Sequence, residues 1–223
     1  MSVPVIAIDG PSASGKGTIA QQVANKLGFH YLESGMLYRV LGLISLTELN
    51  DRVNESELVH YAKSMELRLQ DGHIFLKDQD ITDAIRSEGC GNRASEVAKI
   101  AAVRAALTSY QRSFRKPPGL VADGRDMGTV VFPDAGLKVF LTASPEVRAE
   151  RRYKQLKDKG INANLRALSR DLQERDARDA NRAVAPLVPA PDAQVLDSSA
   201  LSIEEVVDRI VAWTRERNFG GRG

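Results

Sequence analysis

A glycine-rich loop between an apolar run and an amphipathic segment constrains the fold of this chain more than any other feature. Residues 3–8 are continuously apolar and rich in β-branched side chains, which is typical of a strand buried in a parallel sheet. After the loop, Ile19, Val23 and Leu27 recur every four residues and Gly28 follows as a candidate C-cap, which predicts a helix. The loop matches the pattern G-x-x-x-x-G-K and consists of Gly10, Pro11, Ser12, Ala13, Ser14, Gly15, Lys16, Gly17 and Thr18.

Between a strand and a helix, this pattern predicts a phosphate-binding loop (P-loop). Glycines let successive backbone N–H groups point at phosphate oxygens, the helix N-terminus adds positive potential, and Lys16 reaches the β- and γ-phosphates. A glycine turn with an incidental lysine is the alternative. Gly17 stands where the strict motif has the Ser or Thr that ligates Mg²⁺, and Thr18 comes one residue later. We therefore expect Mg²⁺ to be held mainly by phosphates and water.

The rest of the chain alternates short apolar runs with helical patterns. Alternation of this kind implies an α/β fold, a doubly wound five-stranded parallel sheet with helices on both faces. Ligands then bind at the C-terminal ends of the strands. Besides the first strand, we predict buried strands at residues 29–32, 120–123, 137–142 and 195–197.

Turn and cap residues predict where several elements begin and end. Asp71-Gly72 predicts a β-hairpin, in which Leu67 and Leu69 lie opposite Leu76 and Ile74. A hairpin does not belong to an alternating core, so we expect it in an inserted lobe. Three serines are candidate N-caps: Ser95 for a helix with Ile100, Val103, Leu107, Tyr110 and Phe114 on one face, Ser144 ahead of Pro145, and Ser202 in a capping box with Glu205.

Charge and cysteine content exclude several classes of protein. With 31 Lys and Arg against 29 Asp and Glu, the formal net charge is +2, so no bulk field favours a nucleic acid polymer or a membrane as partner. The single cysteine, Cys90, excludes an intramolecular disulfide. No apolar run approaches the roughly 18 residues of a membrane span, and the N-terminal run is too short for a signal sequence. We expect a cytoplasmic protein and take it to be a monomer.

Arginines late in the chain suggest a second anionic substrate. On a helix, Arg175, Arg178, Asp179 and Arg182 would share one face and could line a cleft, although a solvated ion-pair stripe is the alternative. If the acceptor is a nucleoside monophosphate, its phosphate oxygen is already ionised near neutral pH and needs no general base. The reaction then needs cations that neutralise two anions, and guanidinium groups do so bidentately. An alcohol acceptor would instead favour a carboxylate base.

Three further segments narrow the interpretation. Residues 122–133 read ADGRDMGTVVFP, residues 181–187 read NRAVAPL, and Ser34-Gly35 precedes Tyr38-Arg39. Together with the G-K-G-T end of the loop, they resemble signature segments of bacterial cytidylate kinases, which are P-loop nucleoside monophosphate (NMP) kinases. The resemblance covers essentially the whole chain. Glu33 stands where we expect Asp before Ser34-Gly35, which keeps a carboxylate but alters its reach.

This resemblance implies a division of the chain and an activity. It implies a P-loop core of residues 1–33, 117–146 and 183–223, an NMP-binding lobe of residues 34–116 with the hairpin insertion at about 62–92, and a short helical lid with its flanking helix at 147–182. The implied reaction moves the γ-phosphate of ATP to CMP or dCMP, with Mg²⁺ bound together with ATP. Lid and lobe would close around both substrates.

The resemblance also assigns roles to individual residues. Catalytic roles fall to Lys16, Arg125, Arg182 and the lid residue Arg151, which lies with Arg148 and Arg152 in a charged segment that we expect at the surface. The acceptor phosphate would contact Ser34, Arg39, Arg125 and Arg182, the sugar Arg175 and Asp179, and the cytosine ring Ser95, Arg104 and Asp126. For Ser95, helix capping remains an alternative. Asp123, at the end of its strand, is a candidate to hold a water bound to Mg²⁺ in the manner of a Walker B carboxylate, with simple strand termination as the alternative.

Two other functions remain open from the sequence. One is a P-loop kinase of another small acceptor, such as UMP or a hydroxylated metabolite. The other, from a different class, is a nucleotide-binding switch that signals to a protein partner. The lack of an N-K-x-D base-reading element and the presence of Gly17 both weigh against a switch.

Overall fold

A computed structural model describes residues 3–70, 73–158 and 160–217. The strands are β1 (Val5–Asp9), β2 (His30–Glu33), β3 (Leu67–Gln70), β4 (His73–Leu76), β5 (Gln79–Asp80), β6 (Leu120–Gly124), β7 (Leu137–Thr142) and β8 (Gln194–Asp197). The α-helices are α1 (Lys16–Leu27), α2 (Ser34–Thr47), α3 (Glu55–Ser64), α4 (Glu88–Val97), α5 (Ala101–Arg112), α6 (Pro145–Asp158), α7 (Leu165–Ala180) and α8 (Ile203–Glu216). A 3₁₀ turn at Ala84–Arg86 and a π-helical turn at Met127–Val131 complete the elements.

The chain forms two compact units. The first, here called the core unit, comprises Met1–Glu33 and Ser113–Gly223, and the second, the helical lobe, comprises Ser34–Arg112. The lobe is therefore one continuous stretch inserted into the core unit. No helix among the described residues is long and apolar enough to cross a membrane.

The core unit contains the predicted five-stranded parallel sheet, in the order β2-β6-β1-β7-β8. Strands β1 and β6 are buried along their whole length, as expected for the centre of such a sheet. The prediction of full burial is wrong for β2 and β8, where only Leu32 and Leu196 are buried. Both strands lie at edges of the sheet, where one flank lacks a neighbouring strand.

Helical segments cover both faces of this sheet. On one face, Ile6 and Ile8 of β1 pack in a cluster with apolar residues of α1 and α8, such as Ile19 and Ile210. On the other face, alternate strand residues pack against the π-helical turn and Phe132. Because successive side chains of a strand point to opposite faces, β1 contributes to both clusters and anchors the sheet.

The helical lobe has its own apolar core, built mainly from α2, α4 and α5. Helices α2 and α4 approach closely at Gly42, where a Cβ atom would lie 3.0 Å from the backbone nitrogen of Ala94. Strands β3, β4 and β5 form a small antiparallel sheet in which Leu67 pairs with Leu76 and Leu69 with Ile74, which confirms the predicted hairpin register. Its Asp71-Gly72 turn lies outside the described residues, and the sequence analysis missed β5.

Most of the predicted helix boundaries are confirmed. Gly28 ends α1 in the left-handed conformation, with φ 66° and its N–H bonded to Ala24. Ser144 caps α6 by accepting from the N–H of Val147, and Ser202 forms the capping box with Glu205. The prediction for Ser95 is wrong, because Ser95 lies near the end of α4, whose N-cap is Ser87.

Candidate active site

The loop after β1 has the backbone geometry that phosphate binding needs. Gly10 touches the neighbouring strand so closely that a Cβ atom there would lie 2.0 Å from the carbonyl oxygen of Leu141. At the other end of the loop, Gly15 precedes α1 with φ 89°, a left-handed conformation that glycine adopts without steric cost. Ala13 also has a positive φ of 58°. The loop therefore delivers the chain into the N-terminus of α1, where the first N–H groups of the helix favour an anion.

Lys16, the first residue of α1, has its ammonium group over the loop. Its Nζ donates to the carbonyl oxygen of Pro11 at 3.2 Å. Burial and the positive charge of Arg125 lower the pKa of Lys16 from 10.5 to about 7, while the carboxylate of Asp123 acts in the opposite direction. An anionic ligand at the loop would stabilise the charged form of Lys16, so phosphate binding and protonation are coupled here.

Asp123 is a buried carboxyl group at the end of β6. Tyr31 donates its hydroxyl hydrogen to Asp123 Oδ1 at 2.9 Å. Burial raises the pKa of Asp123 from 3.8 to about 6, although Lys16 lowers it. The described residues contain no cluster of three His, Cys, Asp or Glu side chains that could hold a metal ion. A single hard oxygen donor next to the loop fits an ion that keeps most of its water and phosphate ligands, as Mg²⁺ does.

Arg125 connects the segment after β6 to the loop and to α7. Its Nε donates to Asp179 Oδ2 at 2.9 Å and its Nη2 to the hydroxyl of Ser12 at 2.9 Å. Burial works to raise the pKa of Asp179, but the charges of Arg125 and Arg175 outweigh it and the pKa is lowered. The structure thus brings together Lys16, Arg125 and Asp179, which the sequence assigned to donor and acceptor sites.

The predicted helical face of arginines is only partly correct. Arg175, Arg178 and Asp179 lie on α7, but the helix ends at Ala180, so Arg182 lies beyond it. Arg182 is buried, and its Nε donates to the carbonyl oxygen of Ala185 at 2.6 Å. Arg182 therefore owes its position to the chain that follows α7, and not to helical periodicity.

The charged segment of α6 is less exposed than predicted. Arg148 is buried, and its guanidinium group donates to the carbonyl oxygens of Ala143 and Ser12, each at 3.1 Å, and to Asp176. The prediction that this arginine lies at the surface is therefore wrong. Asp176, which the sequence analysis did not single out, also accepts from the N–H of Ser12 at 3.4 Å.

Arg151 contacts the loop from the same helix as Arg148. Its Nη1 donates to the carbonyl oxygen of Ser14 at 3.1 Å, and its Nη2 to that of Ser198 at 2.7 Å. Two arginines of α6 thus bond to carbonyl oxygens of the P-loop. These bonds hold the loop by its backbone carbonyl oxygens and satisfy these acceptors.

Four candidate residues belong to the helical lobe. Ser34 is the first residue of α2, is buried, and accepts a hydrogen bond from Gln111 Nε2 at 3.0 Å. Arg39, one turn further along α2, donates to the carbonyl oxygen of Ile85 at 2.7 Å. Gln111 was not singled out from the sequence, because a glutamine on an amphipathic helix gives no signal until its partner is known.

The two remaining lobe candidates are assigned to the base. Arg104 is buried on α5, bonded to the carbonyl oxygen of Ala98 at 3.2 Å, and lies over the ring of Tyr38 at 5.5 Å. Ser95 is buried near the end of α4. Asp126, assigned to the same base, is buried in the core unit immediately before the π-helical turn.

Comparisons with known proteins give one consistent result. The family model described as Cytidylate kinase matches residues 6–216. Proteins named cytidylate kinase from Ralstonia nicotianae and Burkholderia pseudomallei (strain 1106a) are 55% and 57% identical to the chain over 213 residues, which are 96% of this chain and 93% of each relative. The protein of that name from Ralstonia pickettii is 55% identical over 216 residues, which are 97% of this chain and 94% of the relative.

Proposed function

Because the chain belongs to the cytidylate kinase family, we propose that it transfers the γ-phosphate of ATP to CMP or dCMP and releases ADP with CDP or dCDP. One observation carries this proposal beyond family membership. The P-loop lysine and the ion pair of half-buried Arg125 with buried Asp179 lie in one site, where Arg125 also bonds to Ser12 of the loop. A cationic acceptor site next to a phosphate cradle is what transfer between two polyanions requires.

On the donor side, the backbone amides from Ala13 to Thr18 would bind the phosphates of ATP. Lys16 would place its charge against the β- and γ-phosphates, where negative charge accumulates as the bond breaks. Asp123 would hold, through water, the Mg²⁺ bound with ATP, and this ion would supply charge neutralisation at the phosphate oxygens. Arg148 and Arg151, bonded to the carbonyl oxygens of Ser12 and Ser14, support the loop in this orientation.

On the acceptor side, we assign positioning and charge neutralisation to arginines. Arg39, Arg125 and Arg182, with the hydroxyl of Ser34, would hold the phosphate of CMP for in-line attack. Arg175 and Asp179 would bind the sugar. The attacking phosphate oxygen is already ionised, so no residue has to remove a proton from it.

Base selection would depend on polar groups that match the edge of cytosine. Cytosine offers an N4 amino donor beside the N3 and O2 acceptors, whereas uracil offers O4 and N3–H in the opposite sense. A carboxylate at Asp126 and a guanidinium at Arg104, with the hydroxyl of Ser95, complement cytosine. Uracil would leave buried polar groups unpaired, at about 1–3 kcal/mol each.

We further propose that the lobe of residues 34–116 binds the acceptor nucleotide and that residues 147–182 form a lid with its flanking helix. Closure of such segments excludes water during transfer. We also place the working enzyme in the cytoplasm as a monomer. The single cysteine, which is reduced and buried, supports a reducing compartment.

A direct assay tests this function. The protein is incubated with ATP and Mg²⁺ together with CMP, dCMP, UMP, AMP or shikimate, and ADP release is measured for each acceptor. We expect CMP and dCMP to be the best acceptors. Preference for UMP or shikimate would contradict the proposed acceptor, and slow ATP hydrolysis that ignores every acceptor would indicate a switch.

A further inference from the structure

Asp9 is a buried carboxylate that the proposed reaction does not use. It is the last residue of β1, directly before Gly10 of the P-loop, and is 5% exposed. Both of its oxygens accept backbone hydrogen bonds: Oδ1 from the N–H of Met127 and Oδ2 from that of Gly128, each at 2.8 Å. Met127 begins the π-helical turn, so the side chain of Asp9 at the end of β1 caps this turn.

The capped turn directly follows Asp126. The carbonyl oxygen of Asp126 accepts from the N–H groups of Val130 and Val131 at 2.9 and 3.1 Å. On its other side, Gly124 pairs with Asp9 in the β1–β6 register. Asp126 is therefore held at both ends, by the sheet on one side and by a turn that Asp9 caps on the other.

A second contact limits the turn at the same place. A Cβ atom on Gly128 would lie 3.1 Å from the Cδ atom of Lys138, so the stem of this lysine packs against the turn. Gly128 thus donates its N–H to Asp9, and the stem of Lys138 packs against its Cα. Little room remains for Met127 and Gly128 to shift, and Asp126 precedes them directly.

We propose that Asp9 is a positioning residue that sets the direction of the Asp126 carboxylate and thereby the preference for cytosine over uracil. The inference rests on the proposed function, in which Asp126 contacts the base. Only a carboxylate can accept from both N–H groups at once, because an asparagine of the same shape offers one acceptor oxygen and one donor group.

The cost of burying the Asp9 carboxyl group indicates that this side chain does more than stabilise the fold. Burial raises the pKa of Asp9 from 3.8 to about 7, while its two hydrogen bonds to backbone N–H groups lower it. A buried carboxylate that must be desolvated is costly even when it is bonded. Both of its hydrogen bonds go to the segment that follows Asp126, and within the described part of the chain its side chain makes no hydrogen bond to the P-loop.

The decisive experiment compares acceptor preference with donor binding in Asp9→Asn. We expect the ratio of kcat/KM for CMP to that for UMP to fall about tenfold, since the turn loses one acceptor and gains an opposing donor. We expect KM for ATP to stay within about twofold of wild type, because the loop amides keep their geometry. Asp9→Glu, which keeps the charge but moves it, should lower the same ratio and serves if the first variant does not fold.

Two controls separate positioning from general loss of stability. Val207→Ala opens space in the buried face of α8, so it should lower Tm and leave the CMP/UMP ratio unchanged. Asp126→Ala should lower the ratio, and adding Asp9→Asn to it should lower the ratio no further, because both changes act on one group.

The outcomes distinguish this inference from the proposed function. A wild-type enzyme without preference for CMP overturns the proposed function and this inference with it. If wild type prefers CMP and Asp9→Asn keeps that preference, only the positioning role is overturned. The positioning role is also overturned if Asp9→Asn raises the KM for ATP by as large a factor as it lowers the CMP/UMP ratio. A lower CMP/UMP ratio in Val207→Ala overturns it too, because either result would show a general structural effect.

Discussion

The core unit and the helical lobe hold their candidate phosphate ligands in different ways. In the P-loop of the core unit the candidate ligands are largely backbone amides, and Arg148 and Arg151 hold the loop by its carbonyl oxygens. In the lobe the candidates are side chains on α2, held by Gln111 for Ser34 and by a carbonyl oxygen for Arg39. Amides follow the course of the backbone, whereas side chains need a second residue to fix them. Substitutions should therefore act through charge at the P-loop and through orientation in the lobe.

The largest effect should come from removing the charge over the P-loop. In Lys16→Met, which keeps an unbranched side chain one atom shorter, we expect kcat with ATP and CMP to fall about 10³-fold, because a cation no longer stabilises the developing charge. Steady-state ADP release measures this. Lys26→Met on the exposed end of α1 is the matched control and should keep full activity. A loss of less than tenfold in Lys16→Met would contradict a charge-dominated donor site.

The second effect tests the acceptor phosphate. In Arg182→Ala we expect kcat/KM to fall about 100-fold for every nucleotide acceptor, since this variant loses the buried guanidinium that we assign to the acceptor phosphate. KM for ATP should change little. Arg166→Ala removes the same charge from an exposed position on α7 and is the control. If both variants lose activity equally, Arg182 contributes only through the overall positive charge of the protein and not through contact with the phosphate.

The third prediction uses the protonation of Lys16. In the ligand-free protein its pKa is lowered to about 7, and bound phosphates should raise it, so ATP binding takes up a proton above pH 7. Affinity for ATP should therefore fall as the pH rises from 7 to 9, by at most about tenfold per pH unit. Asp123, with a pKa of about 6, titrates below this range. Calorimetry at pH 8 in buffers of different ionisation enthalpy should show proton uptake in wild type and none in Lys16→Met.

The smallest effect tests orientation in the lobe. Gln111→Leu is nearly isosteric and removes the donor that fixes Ser34, so we expect KM for CMP to rise about fivefold, as for one neutral hydrogen bond. The kcat at saturating CMP should stay within about twofold. Gln21→Leu, at an exposed position on α1, should leave KM unchanged. If Gln111→Leu instead lowers kcat alone, the lobe residues act on the chemical step and the contrast between the units is wrong.

Sequence reasoning succeeded where local pattern decides the structure. The P-loop, the hairpin register and the Ser144 and Ser202 caps depend on residues a few positions apart, and all are found as predicted. The N-cap at Ser95 was wrong because Ser87 starts an earlier helix that continues through it. A serine next to a helical pattern fits either position, and only the packing of α4 against α2 decides.

Residues whose position depends on distant partners were missed or misjudged. Arg148 was expected at the surface because its neighbours are charged, but Asp176 on another helix stabilises it in a buried position. Asp9 and Gln111 are ordinary residues in the sequence, and only the folded chain shows that they bond to Met127, Gly128 and Ser34. Such pairs have no spacing rule, so no local pattern predicts them.

The place of β8 in the sheet has a consequence for synthesis on the ribosome. This strand pairs with β7 from the edge of the sheet and begins only at Gln194, and α8 follows it. The core unit therefore cannot complete its sheet until Gln194–Asp197 has left the exit tunnel, whereas Ser34–Arg112 emerges earlier as one uninterrupted stretch. The lobe can therefore form its apolar core first. During that time β1 is already translated, but β6 and β7, the strands that pair with it on either side, are not yet available.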